Sequence, residues 1–247
     1  MLNILIAILA LGVLIGIHEL SHMFTAKAFG VKVLKFSFGF GTRLLHRQIG
    51  ETSYELRLLP LGGYVQFKGE NPEIKEDGGF FSLVWYKRVL VALAGPTANL
   101  ILGFLIIWVL FLLKDYPIIE AIRRTFSISS MVVVGTIKYM GGFFVAKSHV
   151  SDMSGPIAIT RVMASSLKEN LFQFFFILSV ISLSLGLFNF IPLPALDGGH
   201  ALLYTIEGLR KKPFTTRVYE IWGYIGFFLL AMLMVLVVYL DISKLLH

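Results

Sequence analysis

Cysteine is absent from all 247 residues, which excludes disulfides and any thiolate metal site. Charge is scarce as well. Asp, Glu, Lys and Arg make up 15% of the chain, where a soluble domain has about 25%. Lys and Arg (22) outnumber Asp and Glu (15), but they form no basic stripe interleaved with aromatics, so the excess does not read as a nucleic-acid surface. No internal repeat or low-complexity tract appears. What abounds is apolar: 56% of residues are hydrophobic, gathered into runs rather than spread with an amphipathic period. That pattern belongs to a membrane protein, and the spare positive charge suits anionic lipid headgroups.

A helix crossing a hydrocarbon core about 30 Å thick needs roughly 20 mostly apolar residues. Four runs qualify, at about 2–24, 89–113, 171–193 and 221–240. No Lys or Arg precedes the first run and no small-residue cleavage site follows it, so it reads as a retained helix rather than a secretory signal. The links around the second run differ in charge. Ten Lys and Arg lie between 25 and 88 and four between 197 and 220, against seven in 114–170 and one, Lys244, in the tail. By the positive-inside rule the first and third links are cytoplasmic and both termini lie outside. Within the first link, 31–40 and 54–67 alternate apolar with polar or glycine and are punctuated by Gly50 and Gly62-Gly63, a pattern for β-hairpins. The mixed apolar and basic segment 118–163 suits helices lying in the interface. The expected fold is an α-helical polytopic membrane protein, one domain over 1–247, with four transmembrane helices and a small membrane-associated β-hairpin region at about 31–70.

Chemistry concentrates at the end of the first span, in His18-Glu19-Leu20-Ser21-His22. Residues four apart share a helix face, so both imidazoles can bind one ion, while Glu19 can take a proton from water that the ion polarises. Ionisable groups in an apolar span are costly and are rarely idle. A catalytic zinc uses three protein ligands and keeps one position open. Asp197 is the candidate third ligand, in a stretch broken by Pro192 and Pro194 and followed by Gly198-Gly199; His200 is its rival. These ligand types also suit iron or cobalt. His46, His149 and His247 fall in links or the tail.

These residues, together with Ala94-Gly95-Pro96-Thr97-Ala98-Asn99 on the second span and Asn189 through Gly199 on the third, resemble the site-2 protease family of intramembrane zinc metalloproteases. The likeness is to bacterial members that cleave anti-sigma factors and leftover signal peptides. Phe38-Gly39-Phe40-Gly41, Leu61-Gly62-Gly63-Tyr64-Val65 and Ser154-Gly155-Pro156 also look like that group. The resemblance implies that His18, His22 and Asp197 bind Zn2+ and that Glu19 is the catalytic base. It implies that Asn189 holds substrate, with Asn99 a further substrate-side candidate, and that Gly62, Gly63 and Tyr64 belong to a β-region presenting an unwound substrate as an added strand. For both asparagines, hydrogen bonding between helices is the competing role. The implied partners are a single-span transmembrane protein substrate and the lipid bilayer. The implied location is the cytoplasmic (inner) membrane, with the active site toward the cytoplasm. Many relatives carry PDZ domains between the second and third spans, and 114–170 is too short for one. Either this is a compact member or such a domain has been removed near 115–117. The alternatives in other functional classes are a metal-ion transporter or sensor using the same ligands, and a chaperone that binds membrane proteins without cutting them.

Overall fold

In the computed structural model, which describes residues 1–144 and 155–246, the apolar runs become helices long and apolar enough to cross a membrane. Chain order is α1 (Leu2–Ala28), β1 (Val33–Ile49), β2 (Thr52–Phe67), a 3-10 turn (Phe80–Ser82), α2 (Trp85–Leu112), α3 (Ile118–Phe144), α4 (Pro156–Glu169), α5 (Leu171–Asn189), α6 (Asp197–Arg210) and α7 (Thr216–Leu246). The four candidate spans are α1, α2, α5 and α7. The chain is therefore a four-span helical membrane protein with a small β-region.

Helix ends differ from the hydropathy runs for identifiable reasons. α2 starts at Trp85, not 89, and takes in Lys87 and Arg88. The Arg88 charge is tolerated there because Glu207 lies 2.6 Å away, and both are buried. α5 stops at Asn189, not 193, because Pro192 lacks an amide proton and biases Ile191 away from helical dihedrals. α7 extends beyond 221–240 in both directions. Residues 145–154, with Lys147, His149 and Ser154, lie outside the described residues, as does His247.

The chain divides into two compact units. One comprises Leu11–Ala98 and Phe188–Phe228. Its β-region is a pair of long, bent strands. Lys35, Phe36, Ser37 and Phe38 of β1 face Gln66, Val65, Tyr64 and Gly63, and also face Ser53, Tyr54, Glu55 and Leu56. Beyond the bend, Arg43 to Ile49 pair with Arg57 to Thr52. The 63–67 part of β2 is thus paired to β1 along one of its sides. β1 runs on to Ile49, well past the 31–40 alternation that announced it. Met23 of α1 packs with Val33 and Phe36, and with the partly buried Leu20, Phe38, Tyr54, Val65 and Phe67, which fixes the sheet against α1.

The other unit comprises Met1–Ala10, Asn99–Leu187 and Leu229–His247. α2 and α5 approach closely within it: a Cβ on Gly103 would lie 2.8 Å from the Ser179 carbonyl oxygen. Ser182 Oγ donates to the Asn99 carbonyl at 2.8 Å. At the start of α4, the amides of Gly155, Ile157 and Ala158 donate to the Asp241 carboxylate at 2.9, 3.1 and 3.1 Å. Gly155 admits that carboxylate, since a Cβ there would lie 2.5 Å from its Oδ2.

Candidate metal centre

One helical turn separates His18 and His22 on α1, so their rings meet edge to face with centroids 4.8 Å apart, both buried. His22 Nδ1 lies 2.7 Å from the Val91 carbonyl oxygen. A carbonyl only accepts, so Nδ1 carries the proton and a neutral His22 presents the lone pair of Nε2. Asp197 Oδ2 lies 2.9 Å from His18 Nε2 and 3.5 Å from His22 Nε2. One ligand atom from each residue falls within 4.8 Å of the others, and Oδ2 is buried without a hydrogen bond among the described residues. Electron-pair donors converging in a buried place call for a cation between them. Two imidazoles and a carboxylate are a zinc donor set with one position left for substrate or water.

Two features of local structure bring this set together. Gly95 of α2 faces both rings: a Cβ there would overlap His22 Nε2 and lie 2.6 Å from His18 Nε2. Any side chain at 95 would enter the space between the imidazoles, and glycine keeps it open. Asp197 is delivered by the broken stretch after α5. Ala195 adopts a left-handed φ of 70°, and Asp197 opens α6 as its first residue, behind Leu196 at the N-cap. Gly198 and Gly199 let the loop cross the helix start. A Cβ on Gly198 would lie 2.5 Å from the Ile191 carbonyl oxygen, and one on Gly199 would overlap that of Leu193. The prolines and glycines read in the sequence as helix breakers therefore fix the position of a carboxylate.

A cavity of about 420 Å³ opens beside the site. Its lining includes Glu19, His22, Asp197 and His200, and it also brings in Gly63 and Tyr64 of β2. Gly63 lies against the acid of the His-Glu motif, since a Cβ on it would be 3.2 Å from Glu19 Cγ. Gly62, Asn99 and Asn189 are not among the lining residues. His200, the rival ligand, stands outside the His-His-Asp group; its Nδ1 is buried without a hydrogen bond among the described residues, and burial pushes its pKa below the usual imidazole range. Sequence reasoning named Gly95 only within a motif and passed over Glu70, Tyr204 and Tyr219, which also line the cavity. The two tyrosines fell in the link 197–220, where nothing marks an aromatic as cavity-facing.

The sequence profile of peptidase family M50 matches residues 6–233. The chain belongs to that family. Its relatives include a provisionally named zinc metalloprotease of Campylobacter jejuni, 24% identical over 98% of this chain and 94% of the relative. One from Clostridium perfringens is 26% identical over 97% and 98% respectively. One from Chlamydia trachomatis is 40% identical, over 43% of this chain and 19% of its own length. The alignment with the Campylobacter protein runs over 349 positions against the 247 residues here, so that M50 relative has about a hundred residues facing no counterpart. Membership in M50, the site-2 protease family, makes this chain a membrane metalloprotease whose metal is zinc, and the His-His-Asp group suits that ion.

Proposed function

We propose that this M50 member is an intramembrane endopeptidase that cleaves the transmembrane segments of single-span membrane proteins, in regulated proteolysis of the kind applied to anti-sigma factors or remnant signal peptides. His18, His22 and Asp197 hold the zinc, and Glu19 is the general base. The observation that carries the reading is the convergence of His18, His22 and Asp197 on one buried point beside a cavity that also contains Glu19. Bound zinc supplies Lewis-acid activation of water and of the scissile carbonyl. Val91 fixes the His22 tautomer by accepting its Nδ1 proton. Glu19 takes a proton from the attacking water and delivers it to the leaving amine. A substrate helix shields its peptide bonds, so it must unwind before it is cut. Gly63 to Phe67 of β2 borders the cavity and offers strand edge to an extended peptide, whose main chain it binds while its side chains turn alternately to and from the cavity. Tyr64 belongs to that edge and Gly62 immediately precedes it, and Asn189, which ends α5, contributes to holding the substrate. Asn99 is fully buried, which suits helix packing better than substrate contact.

The membrane is the cytoplasmic (inner) one. Both termini are outside and the site faces the cytoplasm, following the excess of Lys and Arg in the first and third links. With no native cysteine, single cysteines placed in those links and at the termini report sidedness directly through a membrane-impermeant thiol reagent. No PDZ fold occurs among the described residues, and in this reading substrate selection falls to the cavity and strand edge. Cleavage is tested with purified protein in lipid vesicles and a single-span substrate. Glu19→Gln is expected to bind zinc as the wild type does and to lower turnover by at least about a hundredfold, the loss of general-base catalysis. Unchanged cleavage by that variant sinks the enzyme mechanism; zinc movement across the vesicle without cleavage would establish a transporter instead.

A further inference from the structure

Metal-site residues line only part of the cavity. The remainder is bounded largely by Phe67, Phe80, Phe81, Tyr204 and Tyr219, with the exposed Glu70 beside them. These rings form one connected surface. Phe67 stacks on Phe80 at 5.1 Å, Phe80 meets Tyr204 at 5.7 Å, and Phe81 meets Tyr219 at 5.1 Å. His200 joins this surface to the metal centre, its ring 6.2 Å from that of Tyr204.

The distance from metal to rings follows from two elements independently. Tyr204 is two helical turns beyond Asp197 on α6, hence on the same face and about 10 Å along the axis. Phe67 is four residues beyond Gly63 on β2, again on the same face and about 13 Å along the strand. A substrate extended along that edge advances about 3.3 Å per residue, so three or four residues separate its cut bond from the rings.

What the rings favour is set by what already occupies their other contacts. The Arg88 guanidinium stands 5.0 Å from the ring centres of both Phe81 and Tyr204, and Glu207 holds it at 2.6 Å. The other Glu207 oxygen accepts the Phe214 amide at 2.6 Å. This buried pair stiffens the wall and satisfies its attraction for a cation. This end of the cavity is left with ring surface, the Tyr219 hydroxyl and the carboxyl of Glu70, which repels an acid.

We propose that this wall is a side-chain subsite that takes a large apolar or aromatic substrate residue three or four positions from the cut bond and rejects an acidic one. The proposal rests on the proteolytic reading of the metal centre. Single-span substrates differing at one position, with Phe, Ala or Asp walked outward from the cut bond on either side, test it. At one such position kcat/KM is expected to be at least about tenfold higher with Phe than with Ala, the scale of a filled apolar pocket, and lower still with Asp. Tyr219→Ala, which opens the wall, should cut the Phe-to-Ala ratio to under about threefold. A flat wild-type profile, or a ratio that survives Tyr219→Ala, overturns the subsite while leaving proteolysis standing. A second measurement needs no turnover. In Glu19→Gln, a benzophenone-bearing phenylalanine at the preferred distance should crosslink to Phe80, Phe81, Tyr204 or Tyr219. Crosslinking to these residues without any cleavage by the wild type would leave the wall an apolar binding surface and overturn both the protease reading and the subsite defined from its cut bond. Crosslinks that miss all four residues overturn the subsite.

Discussion

Two carboxylates, one in each unit, meet helix N-termini in opposite ways. Asp241 reaches from α7 to the start of α4 and is 3% exposed, with three backbone amides donating to it. Asp197 is itself the first residue of α6, and its buried Oδ2 receives no hydrogen bond among the described residues while two imidazole nitrogens approach it. A buried carboxylate persists only where its charge is compensated. Backbone donors of the fold compensate Asp241, which is therefore complete as structure. The nearest partners of Asp197 Oδ2 are two imidazole nitrogens, and a cation shared with them would complete its compensation. The difference separates an acid that holds helices together from an acid placed to share an ion with two imidazoles.

Removing each acid is the strongest way to break this contrast. Asp197→Ala deletes one of the three proposed zinc ligands, and bound zinc measured by elemental analysis should fall from about one per chain to near none, with cleavage lost. Asp241→Ala should leave zinc per folded chain unchanged. If Asp241→Ala emptied the site and Asp197→Ala did not, the two roles would be reversed.

Most of the architecture was legible because the bilayer imposes a length and a polarity that single residues cannot disguise. Four apolar runs became the four long apolar helices, and the His18-to-His22 spacing needed only helix geometry. Asp197, far along the chain, was legible through chemistry, as a polar group in a broken apolar segment where two imidazoles lacked a third ligand. Arg88 misled: a positive charge looked like the limit of a span, but its partner Glu207 is 119 residues away and invisible to any local reading. Gly95 was hidden for the same reason. Its need for no side chain arises from α1 packing against α2, and a glycine inside a helical run carries no label for what crosses it. The double pairing of Lys35–Phe38 was likewise beyond an alternation pattern, which gives a strand its face but not its neighbours.

A subtler version of the comparison uses two glycines of the same helix. Gly95→Ala drives a methyl between the imidazoles, whereas Gly103→Ala drives one toward Ser179 and Leu183 in the other unit. Chelator competition should show zinc affinity falling on the order of 10–100-fold for Gly95→Ala, as for other changes that disturb ligand orientation. Gly103→Ala should lower thermal stability yet bind zinc as the wild type does. Equal zinc affinity in both variants would mean the imidazoles have room to move aside, and the spacing role of Gly95 would be lost.

The smallest effect concerns how completely Asp241 is satisfied by the fold alone. Its two oxygens share three amides, Oδ1 taking Gly155 and Oδ2 taking both Ile157 and Ala158. Asparagine keeps one acceptor oxygen but turns its NH2 toward at least one of these amides, so Asp241→Asn should cost about 1 kcal/mol, the typical value for a lost cap. Alanine removes every acceptor and should cost about 2 kcal/mol, the upper end for a lost helix cap. Amide hydrogen exchange at Ile157 and Ala158 reads this directly, because 1–2 kcal/mol corresponds to roughly a 5- to 30-fold change in an opening equilibrium. Exchange should therefore quicken severalfold in the asparagine variant and about 30-fold in the alanine variant. The graded series matters because a site that needs an external cation cannot be rescued by a neutral isostere, whereas one that needs only an acceptor can. Equal exchange in wild type and Asp241→Ala would show that α4 does not depend on this carboxylate, and the distinction between the two acids would then rest on Asp197 alone.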